Sequence, residues 1–289
     1  MRLLATLFFS LMSLSVRVAS VEASVGQIVF WRSAVALVPI LAYLAWREQL
    51  PHGLKTNRPF SHIKRSLYGC VAMVFSFLSI AHLSLALATA LSFLAPLILV
   101  PMAVVLLGER PGWLVSLATL IGFCGVGLML WPAMAGPSLA TGTMIGVGAG
   151  LACAVTTALA KTEIKRLTAT EAPAAIAFYF AIVCAVSGLA TWPFGWADVG
   201  PAALIALLAS GAFGGLAHIA MTEAVARAPV STLAPFEYTA MIWAMLFDVV
   251  IFALWPEPIS LIGGFLIVAA TTCVAFADRF AARQQSVPA

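Results

Sequence analysis

Six ionisable side chains stand inside long apolar stretches of this sequence: Arg17, Arg32, His82, His218, Glu237 and Asp248. Charge at membrane depth is costly, so such groups face a bundle interior, a watery cavity or one another. Glu237 follows Pro235 by two residues, and a proline frees a backbone carbonyl one turn earlier and commonly kinks a helix. Its carboxylate reads either as a partner for a substrate ammonium or proton, or as a permanent ion pair with a cation such as Arg227. Asp248, three turns further along, serves in the same way or pairs with Arg32. Arg17 ends a stripe of Thr6, Ser10 and Ser13 at steps of four, three and four, which lies on one helical face. The hydroxyls suit interhelical hydrogen bonds or substrate contact. Arg17 pairs with Glu22 or offers a guanidinium to a substrate carboxylate. Arg32 snorkels to the interface or pairs with Glu22. Ser79 and His82 form a second stripe with Tyr68 and Ser76. His82 and His218 each fall in the third span of their half, and a histidine titrating near neutrality can carry a proton. Tyr238 and Trp243 complete the ninth span, Trp243 as a pocket wall or a packed core residue.

The elements that position these groups follow from composition. The chain has 289 residues, 63% hydrophobic and 9% charged. About 20 apolar residues cross a bilayer, and the apolar runs give ten spans, near 3–20, 28–46, 67–86, 90–107, 113–131, 142–160, 173–192, 201–222, 231–254 and 259–277. With the first residue in the cytoplasm, thirteen of the fifteen Lys and Arg residues fall on the cytoplasmic side, Lys64 and Arg65 among them. The outer joints carry Glu22, Asp198 and Glu257 and no basic residue. That asymmetry is the positive-inside rule for a multi-pass inner-membrane protein with both termini cytoplasmic. Residues 3–20 also resemble a signal peptide, but their removal would place one terminus on the wrong side, so they read as a retained helix. Five scattered cysteines in apolar spans have no metal-ligand spacing and read as small hydrophobes, and no metal or cofactor is expected.

The organisation is a repeat. Ser92-Phe93-Leu94-Ala95-Pro96-Leu97 in span four matches Ser231-Thr232-Leu233-Ala234-Pro235-Phe236 in span nine. An acidic residue beside a proline follows each, in Gly108-Glu109-Arg110-Pro111 and in Trp255-Pro256-Glu257-Pro258. Glycine-bearing last helices come next, with Gly122, Gly125 and Gly127 in one and Gly263 and Gly264 in the other. Five spans is an odd number, so residues 1–134 and 135–289 form two inverted five-helix repeats around a central cavity, all-α throughout. Pro96 and Pro235 break the helices that should hold substrate. Gly142, Gly146 and Gly150 form a small-residue stripe for packing within the chain or across a dimer, leaving monomer and homodimer both open.

With its five-plus-five spans, Pro-bearing fourth and ninth helices, Gly-Glu-Arg-Pro turn and Phe30-Trp31-Arg32 entry to span two, the chain resembles the EamA-type carriers of the drug/metabolite transporter superfamily. The resemblance covers essentially the whole chain and is closest to bacterial amino-acid and metabolite exporters. It departs in the second acidic turn, which reads Trp-Pro-Glu-Pro, and in a longer ninth helix. What the resemblance implies is a secondary transporter exporting small metabolites, amino acids above all and aromatic or other apolar ones included, by alternating access. A facilitative uniporter or exchanger, or a proton-coupled exporter of other metabolites or drugs, is the alternative. The expected substrate contacts are Ser10, Ser13, Arg17, Ser79, His82, Pro96, His218, Pro235, Glu237, Tyr238 and Trp243. Glu237, His82, His218 and Asp248 are the expected proton-coupling groups. The sequence has no Walker motif, His-Glu-x-x-His or Gly-x-Ser-Gly, and Ser210 and His218 are too far apart along a helix to act together. An intramembrane enzyme or a channel is thereby disfavoured.

Overall fold

The computed structural model describes residues 1–48, 50–51, 54–56, 58–95, 97–98, 100–101, 113–134, 141–167, 170–171, 173–227, 236–237 and 239–285. Within them the chain is helical: α1 (Arg2–Ala19), α2 (Val25–Trp46), α3 (Pro59–His82), α4 (Leu85–Ser92), α5 (Trp113–Met134), α6 (Thr141–Leu167), α7 (Pro173–Leu189), α8 (Pro201–Arg227), α9 (Thr239–Phe252) and α10 (Pro258–Gln285). A short 3₁₀ turn, Trp192–Phe194, lies between α7 and α8. Seven of these helices are long and apolar enough to cross a membrane, and large hydrophobic side chains such as Ile205, Val250 and Phe265 face outward from the bundle. The protein is a multi-pass membrane protein.

Element boundaries differ from the apolar runs where polar ends continue a helix. α3 starts at Pro59, eight residues before the apolar run, because proline suits the first helical turn and Lys64 and Arg65 are good helix formers. α6 continues through Lys161 and Glu163 to Leu167 for the same reason. At the other end of α3 the chain turns sooner than hydropathy suggests. α3 stops at His82 and α4 starts at Leu85, after Ser84, whose hydroxyl accepts from the Leu87 amide at 3.2 Å.

Packing pairs helices from the two ends of the sequence. α5 lies along α10, α3 along α6 and α1 along α8. α2 contacts both α7 and α8, α3 also touches α7, α4 meets α9 and α6, and α1 meets α9. The α5–α10 contact is a close one. A Cβ on Gly125 would stand 2.8 Å from the Gly263 carbonyl oxygen, and a Cβ on Gly263 would stand 2.5 Å from that of Gly125. Only glycine allows two backbones this close. The Gly142, Gly146 and Gly150 stripe is occupied inside the chain, where Gly146 abuts His82 and Leu83 and Gly150 abuts Leu91 and Ser79.

Candidate functional site

The bundle has two ends, one with the N-terminus and one with the α1–α2 turn, and the polar side chains collect at three levels between them. At the N-terminal end, cations of the first half meet acids of the second. Arg2 pairs with Glu237, and Lys64 Nζ lies 2.8 Å from Glu163 Oε1. His62 Nε2 lies 3.3 Å from Glu171 Oε2, with both side chains only 2% exposed. Arg47 reaches Glu223 at 3.3 Å, and the Tyr43 hydroxyl donates to the same carboxylate. Glu237 is thus partnered by Arg2, while the side chain of Arg227 lies outside the described residues, and with its side chain 43% exposed Glu237 sits at the bundle end rather than at its middle.

At the opposite end a cavity of about 420 Å³ opens between the ends of α3, α5 and α9 and the starts of α4, α6 and α10. His82, Met129, Thr143, Asp248, Trp255 and Glu257 are among its walls, and the volume falls in the range of small-molecule sites. Asp248 is 3% exposed, and its carboxylate accepts from the Leu85 amide at 3.0 Å and the Ala86 amide at 2.7 Å. It therefore caps the start of α4 from another helix, at the positive end of the α4 dipole. Arg17 completes the cluster. It donates to the Leu83 carbonyl, approaches Asp248 Oδ1 at 3.9 Å and places its guanidinium 4.6 Å from the centre of the Phe252 ring. Both pairings expected with Glu22 are corrected here. Arg17 takes Asp248, while Glu22 Oε2 accepts from the Gly200 amide at 2.6 Å, at the start of α8.

Between the ends sits a level that the sequence disclosed only in part. Arg32 neither snorkels nor pairs with Asp248. It is 4% exposed, its Nη2 lies 3.2 Å from His218 Nε2, and its guanidinium is 5.8 Å from the centre of the Phe180 ring. Arg65 from α3 covers the same ring at 4.2 Å and is 8% exposed. Phe9 of α1 meets the His218 ring edge-on at 5.4 Å. Nε of Arg32, and Nε and Nη1 of Arg65, are buried with no acceptor. Hydropathy placed Arg65 in a cytoplasmic joint, two residues before an apolar run. The only available signal was that α3 could begin at Pro59 and carry Arg65 into the bundle. Contact with an aromatic face stabilises a cation by about 0.5–2 kcal/mol. Desolvating an unpaired charge costs several kcal/mol even after relaxation, so Phe180 alone does not balance either arginine.

The remaining expected contacts are spread. Ser10 donates to the Ala240 carbonyl at 3.5 Å, and Thr6 shares a 2.8 Å hydrogen bond with Thr239, so this face of α1 packs on α9. Ser13 donates to Phe9 of its own helix at 3.0 Å. Ser79 Oγ and Trp243 Nε1 are buried without partners. Pro96, Pro235 and Tyr238 lie outside the described residues, as does the Glu109-Arg110-Pro111 turn. Among the described residues no group of three or more His, Cys, Asp or Glu side chains could hold a metal ion.

Comparison with known proteins adds what geometry cannot. Over 283 residues the chain is 30% identical to the pseudopaline exporter of Pseudomonas aeruginosa, covering 94% of this chain and 93% of that one. It is 26% identical over 255 residues to the S-adenosylmethionine uptake transporter of Rickettsia bellii, covering 86% and 82% of the two chains. A solved crystal structure superposes with a TM-score of 0.66 at 23% identity, over 99% of this chain and 97% of the other, which speaks to fold alone. The profile of the EamA-like transporter family matches residues 1–131 and again residues 144–276. The chain is a membrane transporter and belongs to the EamA-like transporter family.

Proposed function

We propose that this protein is a secondary carrier that exports amino acids or related small amphipathic metabolites, aromatic and apolar ones included, by alternating access. The observation that carries the reading is the disposition of its polar contacts. Four acids of the second half are held by the first half at the N-terminal end, while a cavity of small-molecule size opens at the opposite end.

The helix packing supports two inverted repeats, 1–134 and 135–289. Exchanging each helix for the one five places along turns α3–α6 into α8–α1, α2–α8 into α7–α3 and α1–α9 into α6–α4, all of which are observed contacts. α5–α10, α2–α7 and α4–α9 map onto themselves, as a pseudo-two-fold axis passing near the Gly125–Gly263 approach would require. Two halves of similar structure give two conformations of similar energy. In the described one we take the N-terminal end, read as cytoplasmic, as the closed end: its ion pairs leave a cavity of about 240 Å³ beside Lys64 and Glu163, against about 420 Å³ at the other end.

Glu237 is the proposed coupling group. A proton on its carboxylate removes the charge that holds Arg2 and loosens the closed end, and His82 in the cavity wall and His218 deeper in are further relay positions. Outward direction draws on the pseudopaline exporter, which is more similar to this chain than the uptake transporter is. Purified protein in liposomes loaded with unlabelled amino acids should accelerate entry of the labelled compound, a counterflow that a channel does not give. Glu237→Gln should flatten the pH dependence of that flux. If no amino acid or related metabolite shows acceleration, the carrier reading fails.

A further inference from the structure

We propose that Arg32 and Arg65, both of which lie over the Phe180 ring, bind the anionic group, a carboxylate or a phosphate, of the molecule this carrier moves. The inference rests on the carrier reading and narrows its substrate to anion-bearing solutes.

The argument begins with donors that have no acceptor. A guanidinium carries five N–H groups in a rigid fork and cannot shed its charge. Arg65 makes no hydrogen bond or ion pair among the described residues, and Arg32 makes one polar contact, to a ring nitrogen of His218. Both are more than nine-tenths buried. Because both lie over one aromatic ring, at 5.8 and 4.2 Å from its centre, the two positive charges are also close enough to repel.

The acids whose contacts are described are engaged elsewhere. Glu22 and Asp248 bind the backbone at the starts of α8 and α4, and Glu163, Glu171, Glu223 and Glu237 are engaged at the N-terminal end. The titratable groups that face the pair are His218 of α8, Cys70 of α3 and Cys184 of α7, none of them an acid. Two repelling, desolvated cations with open forks are therefore suited to receive an anion. The elements that hold them come from both halves of the chain. α2 and α3 come from the first half, and α7 and α8, which supply Phe180 and His218, come from the second. An anion bridging the arginines would thus span the seam between the halves.

Melting of the purified protein in a neutral detergent tests this, with L-phenylalanine, L-glutamate and glycerol 3-phosphate as probes and L-phenylalaninamide as the uncharged-end control. Wild type should be stabilised by at least one anionic probe and not by the amide. Arg65→Gln and Arg32→Gln should each weaken apparent affinity by about tenfold or more, whereas Lys55→Gln, in the exposed joint between α2 and α3, should bind as wild type. Without ligand, Arg65→Gln should melt at or above the wild-type temperature, because it removes an unpaired buried charge. A purely structural arginine would lower it. The proposal is overturned if no anionic probe stabilises the protein, if amide and acid act alike, or if Arg65→Gln loses stability and keeps affinity. It is equally overturned if phosphatidylglycerol, and no soluble anion, stabilises wild type through Arg65, since the site would then hold a lipid headgroup. Counterflow of an amide or a cation with unchanged Arg65→Gln rates would sink this inference and leave the carrier reading standing; absence of all counterflow would sink the reading itself.

Discussion

Asp248 illustrates how a membrane carboxylate can look functional in sequence and act structurally in the fold. Its two oxygens satisfy consecutive amides at the start of α4, so its removal strands two buried donors. Asp248→Ala should lower stability by about 1–3 kcal/mol per stranded group, read as a fall in melting temperature, with Asp248→Asn intermediate because it keeps one acceptor. The buried His62–Glu171 pair makes a sharper case. His62→Ala takes one partner from a carboxylate only 2% exposed, so its melting temperature should fall further than that of Lys64→Ala. Lys64→Ala, whose side chain is half exposed, should cost no more than about 1 kcal/mol. At this scale the sequence was legible where spacing decides contacts, as in the Thr6 and Ser10 face of α1 that packs on α9. It was silent where a partner lies more than a hundred residues away. Nothing near Glu237 points to Arg2, and nothing near Arg32 points to His218 and Phe180.

Helix pairs depend on a few places where backbones nearly touch. Gly125→Leu and Gly263→Leu each drive a side chain into a carbonyl less than 3 Å from where its Cβ would stand. Either should separate α5 from α10 and reduce yield of monodisperse protein, whereas Gly127→Leu, with open space at the Cβ position, should not. Size-exclusion profiles of the three variants check this directly. Gly146→Leu should behave like the first two, since its face is filled by His82 and Leu83. Apolar run length sufficed to locate the seven long helices, because the bilayer imposes one length scale on all of them. Hydropathy could not locate helix ends that extend into water, and the error reached eight residues at the start of α3. That error hid Arg65: a residue assigned to a cytoplasmic joint by charge alone lies over Phe180 in the bundle.

For the molecule as a whole, the account claims that the two halves rock, closing one end as the other opens. Acids of the second half and cations of the first hold the N-terminal end, and weakening that hold should move both ends in opposite senses. Spin labels at Arg58→Cys and Thr170→Cys report the N-terminal end, and labels at Val21→Cys and Glu257→Cys report the other, each pair in a background with the five native cysteines replaced. Pulsed EPR distances in liposomes, measured with and without Glu163→Gln and Glu223→Gln, provide the most direct test. The account predicts a longer distance at the N-terminal end together with a shorter one at the cavity end when the acids are neutralised. Two distances that stay fixed, or that lengthen together, would contradict it.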